Sequence, residues 1–152
     1  MKKRLFSLHD KLAEDTVVLG RLTISIVLLA KDSRYPWVIL VPERASIKEI
    51  YELSREDQLR LQLESCAVAK AMSQHFQADK MNVATLGNIV PQLHIHHVAR
   101  FKEDDAWPDP VWGKHPALHL LSAELSIQVQ MFQSLLTAFF EDHGELTFTP
   151  SE

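Results

Sequence analysis

The feature that most limits the fold is one long helical stripe set between stretches of two-residue alternation. Leu59, Leu63, Cys66, Ala69, Met72 and Phe76 recur at steps of three and four, the spacing of a single helix face. Ser54 precedes them, with Glu56 and Asp57 in the next turn. That is an N-cap followed by acids at the positive end of a helix. The spacing predicts a helix over 54–77 with this stripe buried. Upstream, Leu22, Ile24, Ile26 and Leu28 alternate with Thr23, Ser25, Val27 and Leu29, which predicts a strand over 22–30. A polar run at 31–34 leads to a second strand at 37–41, held between Pro36 and Pro42, where proline suits strand ends. The two form an antiparallel hairpin. Residues 81–84 and 92–101 read as further strands, and 102–113 as irregular. A second helix opens at Ser122 and carries Leu125, Val129, Phe132, Leu135, Leu136 and Phe139 on its apolar side. Gly144 is placed as its C-cap, and the last residues read as frayed. This order is α+β, without the alternation of a parallel α/β sheet.

Composition narrows the function. At 152 residues and 46% hydrophobic, the chain holds one domain's core, read here as a single domain over 1–152. A net charge of −4 argues against a broad basic face for duplex nucleic acid. Four glycines are too few for a Walker or dinucleotide phosphate loop. One cysteine, Cys66, excludes an intramolecular disulfide and a multi-cysteine zinc site, and points to a reducing compartment. The basic start Met1-Lys2-Lys3-Arg4 resembles a signal n-region, but Asp10 and Lys11 arrive before a long apolar stretch forms. The apolar runs 26–30 and 37–41 fall far short of the ~20 residues of a membrane span. The expectation is a cytoplasmic protein without a membrane segment.

Chemistry concentrates in residues 91–100. On a strand, Gln92, His94, His96, Val98 and Arg100 share one face, and Leu93, Ile95, His97, Ala99 and Phe101 the other. His94 and His96 then stand about 6.5–7 Å apart. Two imidazoles near a guanidinium suit an anionic group such as phosphate, and a histidine can attack it or move a proton. Spacing alone equally fits a strand with surface histidines. His97 faces the apolar side and needs a hydrogen-bond partner there. His115 and His119 stand four apart, a possible zinc spacing, but Pro116 follows His115 and no acidic or cysteine partner has motif spacing. No metal or other cofactor is expected, and His9, His75 and His143 receive no role.

The run Gln92-Leu93-His94-Ile95-His96-His97-Val98 resembles the signature of the histidine-triad (HIT) family. Val38-Ile39-Leu40-Val41-Pro42 resembles the family's apolar strand ending in proline. Asn82, then Gly87-Asn88, precede the motif as the family's asparagine and glycine loop do. The likeness covers about 22–113, with a C-terminal helix over about 122–142 beyond it. It implies a five-stranded antiparallel sheet with one long central helix and a C-terminal helix, and usually a homodimer. It implies a nucleotide hydrolase or nucleotidyl transferase, of the phosphoramidase or dinucleotide polyphosphate hydrolase type. Such enzymes act at the α-phosphate through a nucleotidyl-histidine intermediate; the alternative is a nucleotide-binding module with weak or no catalysis. His94 matches the nucleophile and His96 the phosphate-contacting histidine, with Gln92 beside them as the third catalytic position. Asn82, Gly87, Asn88, Arg100 and Trp107 match the nucleotide and phosphate contacts, with Trp112 a second candidate for stacking on the base. Three positions depart. Gln92 replaces the leading histidine, Ile89 replaces a phosphate-binding serine, and the ribose-binding acid falls near Leu29, with Asp32 a possible substitute.

Overall fold

The computed structural model describes residues 5–152, so the basic run at 1–4 lies outside the described residues. The first element is a short helix, α1 (Asp10–Asp15). Three strands follow: β1 (Thr16–Arg21), β2 (Ser25–Ala30) and β3 (Trp37–Pro42). Then come the long helix α2 (Arg55–Phe76), β4 (Lys80–Ala84), β5 (Ile95–Arg100), α3 (Ser122–Asp142) and the two-residue β6 (Thr149–Pro150). The strands make one six-stranded sheet in the order β4-β5-β3-β2-β1-β6, with every pairing antiparallel. The expected α+β architecture is present, with one strand more than expected.

The extra strand at the tail is β6, where frayed residues were expected. It pairs with Gly20 and Arg21 of β1. A Cβ at Gly20 would run into the Thr149 carbonyl and the Phe148 ring, so the close approach of the tail requires glycine.

The strand expected over 22–30 is two elements. Residues 22–24 form a turn, closed by a 2.9 Å bond from Leu22 N–H to the Ser25 carbonyl. Alternation ran on through the turn because Leu22 and Ile24 are both buried, so period alone could not see the break. Glu64 Oε1 of α2 accepts from Ile24 N–H at 2.9 Å, satisfying a donor that this bend leaves without a strand partner. Burial pushes the Glu64 carboxyl up from its ordinary value.

α2 begins as expected: Ser54 accepts from Asp57 N–H at 3.1 Å. It ends at Gln77 in the left-handed conformation, with φ 52°. Its buried face differs from the expected stripe. Leu61, Glu64, Val68, Ala71 and Met72 are buried, whereas Leu59 and Leu63 are 61% and 51% exposed. The carboxylate at 64 disguised the inner face as a polar one. α3 follows its expected pattern, burying Phe132, Leu135, Leu136 and Phe140, but its C-cap is His143, one residue before the expected Gly144.

One sheet face carries α2 and α3 over Val27, Leu29, Val38 and Leu40. The other face carries Ile26, Leu28, Ile39 and Val41, covered by Phe6, Leu8 and Leu12. This second face opens at β3 and β5 into the candidate site. No helix of the described residues is long and apolar enough to cross a membrane.

Candidate active site

β5 presents His96 to the open face and His97 to the helices, as strand alternation requires. His96 lies opposite Ile39, and His97 opposite Val38, in the β3–β5 register. His94 lies just before β5, in an irregular segment. A cavity of about 670 Å³ is lined by His94, His96, Gly87, Asn88, Trp37 and Trp112, among others. That volume is within the usual range for small-molecule sites.

The hydrogen bonds assign the protons on both rings. His94 Nδ1 lies 2.7 Å from the Gln92 main-chain carbonyl. A carbonyl only accepts, so Nδ1 carries a proton, and in the neutral tautomer this selects the lone pair is on Nε2. Trp37 Nε1–H donates to His96 Nδ1 at 3.0 Å. An indole only donates, so the neutral His96 carries its proton on Nε2. Neither Nε2 has a partner among the described residues, and the ring centroids are 4.8 Å apart. Burial holds His96 neutral, assisted by its histidine neighbours, and lowers its pKa to about 3. The cavity thus contains one imidazole lone pair and one imidazole N–H side by side. Trp112 stands edge-on to His96 at 5.3 Å and to Trp37 at 5.8 Å.

Asn82, Arg100 and Trp107 form a different cluster, outside the cavity lining. Arg100 is 1% exposed and donates to both Asp104 oxygens, at 2.7 and 3.0 Å. It also donates to Asn82 Oδ1 at 2.7 Å and to the Asp109 carbonyl at 2.9 Å. Its guanidinium sits over the Trp107 ring at 5.7 Å. Burial pushes the Asp104 carboxyl up, but Arg100 and the main-chain N–H groups of Phe101 and Ala106 outweigh it and hold the pKa at about 2. The expectation that Arg100 and Asn82 meet a phosphate gives way to a buried ion pair that ties down the loop after β5. The expectation for Trp107 gives way likewise, because Trp112, farther along that loop, reaches the cavity. Gln92 also departs. Its side chain bonds the main chain of Ser7 and His9, and only its carbonyl reaches His94.

Ile89 is 86% exposed at the cavity rim. Leu29 is buried in the core on the helix side, while Asp32 reaches the cavity wall and accepts from Arg34 and Leu118 N–H at 3.1 and 3.2 Å. His115 and His119 also line the cavity. No group of three or more metal-ligating side chains with suitable geometry occurs among the described residues. Sequence reasoning missed Trp37 and the α1 wall, since register across strands and the path of the N-terminal segment leave no local signal.

Residues 11–103 match the HIT domain family. The chain belongs to the HIT family. Among solved structures, a histidine triad protein from Marinobacter aquaeolei VT8 is 48% identical, with TM-score 0.86, covering 90% of this chain and 99% of that one. A histidine triad protein from Bradyrhizobium japonicum is 41% identical, with TM-score 0.83 and coverages of 88% and 99%. A HIT protein from Sinorhizobium meliloti 1021 is 40% identical, with TM-score 0.81 and coverages of 85% and 96%. No curated protein matches. Membership of the HIT family supports a nucleotide-binding or hydrolase-type function for this domain.

Proposed function

We propose that this HIT protein is a nucleotide hydrolase or nucleotidyl transferase that uses His94 as its nucleophile. The observation that carries this reading is the pair of opposite imidazole states, a lone pair on His94 beside an N–H on His96. In the first step the His94 Nε2 lone pair attacks the α-phosphorus, a P–N bond forms, and the bond to the leaving group breaks. The leaving group takes its electron pair and a proton from water. In the second step water attacks phosphorus, the P–N bond breaks back to Nε2, and a nucleoside monophosphate and a proton depart; a transferase would use another hydroxyl acceptor. His96 Nε2–H stabilises the phosphoryl oxygens by donation. With its pKa lowered to about 3, it serves near neutral pH as a hydrogen-bond donor, not a cationic acid. Loop residues Gly87 and Asn88 flank the phosphate, Asp32 takes the ribose hydroxyls, and Trp112 covers the bound nucleotide.

A second reading, a nucleotide-binding module without turnover, is favoured by two observations. Ile89 offers no hydroxyl at the rim, and Arg100 is spent on Asp104. Titration with AMP, followed by an adenosine phosphoramidate turnover assay, separates the readings. Binding with turnover supports the enzyme, and binding without it supports the module. We further propose that 1–152 is one cytoplasmic domain acting as a homodimer. The edge position of β4 supports a dimer, as do exposed Leu59, Leu63 and Val83. A monomer in light scattering at micromolar concentration would count against it.

A further inference from the structure

Gln92 stands where the family signature leads with histidine, yet its amide turns away from the cavity and grips the N-terminal segment twice. Its Oε1 accepts from His9 N–H at 2.9 Å, and its Nε2 donates to the Ser7 carbonyl at 2.8 Å. A primary amide carries a donor and an acceptor side by side. It therefore pairs with a main chain two residues apart much as a neighbouring strand does. The gripped segment continues directly into α1, whose N-cap is His9, with its ring Nδ1 accepting from Lys11 N–H at 3.1 Å. Phe6 and Leu8 lie on the apolar patch around Leu12, Ile26 and Ile39. Lys11, Leu12 and Asp15 of α1 form part of the wall of the cavity that holds His94 and His96.

We propose that the Gln92 amide is a buckle that holds residues 5–15 in place as one wall of the nucleotide cavity. Gln92 is then a positioning residue for substrate binding, acting through the strap it grips. This rests on the nucleotide reading given above. The segment bearing His94 has its own anchor, a 3.0 Å bond from Leu93 N–H to the Ile47 carbonyl. The group that fixes the His94 tautomer is a main-chain carbonyl, which any side chain at 92 retains. Loss of the amide therefore falls on the strap and on affinity more than on the chemical step.

The test uses the full chain with Gln92→Ala, His9→Pro, His9→Ala and the Gln92→Ala/His9→Pro double variant. His9 has φ −59°, which proline adopts without strain, so His9→Pro removes the gripped N–H. His9→Ala keeps that N–H and loses only the ring cap. Hydrogen exchange over residues 7–15 reads the strap, calorimetric titration with AMP reads the cavity, and KM and kcat on an adenosine phosphoramidate separate affinity from rate. Gln92→Ala and His9→Pro are each expected to speed exchange and weaken AMP binding about fivefold. His9→Ala weakens it less than His9→Pro. The double variant does little more than either single one, and KM rises by a larger factor than kcat falls. Unchanged exchange in Gln92→Ala overturns the buckle. Faster exchange with native AMP affinity overturns the wall. If the native protein binds no AMP, the nucleotide reading fails and takes the substrate part of this proposal with it, while the exchange rates still judge the buckle.

Discussion

His96 and His97 are neighbours on one strand, nearly equal in burial and both held neutral, yet only one of them faces a cavity. His96 is 7% exposed and His97 is 0% exposed. Burial lowers their pKa values to about 3 and about 4. His97 turns under α2, where Ser65 Oγ meets its Nε2 at 2.7 Å, and its Nδ1 has no partner among the described residues. His96 spends its Nδ1 on Trp37 and keeps its Nε2–H for the cavity. The depressed pKa is therefore no mark of a site. The mark is a polar atom left unused beside open space, and here it coincides with a second ring in the complementary state.

The largest effect is expected at His94, the partner only His96 has. His94→Ala is expected to cut turnover at least about a thousandfold, worth about 4 kcal/mol of barrier, while AMP affinity falls far less. Wild-type turnover in that variant, on whatever nucleotide the native protein cleaves, removes the nucleophile mechanism. On the other face, His97→Ala is expected to lower unfolding free energy in urea by about 2–3 kcal/mol, from a core cavity and an orphaned serine hydroxyl. Its turnover per folded molecule should stay close to native.

The two histidines also predict a pH profile. Each has a lower pKa folded than unfolded, so the unfolded chain takes up protons that the native one refuses. Their contribution is whole above the ordinary value of 6.5 and is lost as pH falls towards about 4 for His97 and about 3 for His96. Urea titrations across that window should show falling stability, with a shallower slope in His97→Ala. An identical slope in the variant would contradict the burial argument.

Smaller effects are expected at the hydrogen-bond partners of the two rings. Trp37→Phe removes the donor that fixes the His96 tautomer, and turnover is expected to drop about tenfold with little loss of stability. Ser65→Ala removes the partner of His97 and should cost about 1 kcal/mol in urea denaturation, leaving nucleotide binding intact. A larger turnover loss from Ser65→Ala than from Trp37→Phe would reverse the assignment of faces.

The sequence made the alternation of β5 legible, and with it the opposite facing of His96 and His97, because a strand's period is a local property. The start of α2 was legible in Ser54 for the same reason. What escaped depends on partners far along the chain. Arg100 looked like a phosphate ligand until the fold supplied Asp104 and Asn82 around it. Trp107 and Trp112 are indistinguishable as sequence, and only the path of the loop after β5 brings Trp112 to His96. The Gln92 side chain was assigned to the cavity because strand alternation was extended to it, whereas β5 begins only at Ile95. The inner face of α2 was misread because a buried carboxylate, Glu64, occupies its centre.

That carboxylate has a consequence for how the chain assembles. Most two-stranded antiparallel units close through their own bend, on a timescale of about 1–10 μs. The bend between β1 and β2 contains neither glycine nor proline, and its Ile24 N–H is satisfied by Glu64, 40 residues away. A corner that looks local is thus finished by a distant group, and the entropic cost of closing that long loop comes before the reward. The bend itself is closed locally by the Leu22–Ser25 bond, but its Ile24 N–H finds its partner only when α2 docks. A nascent chain that has not yet reached Glu64 leaves this one donor to water.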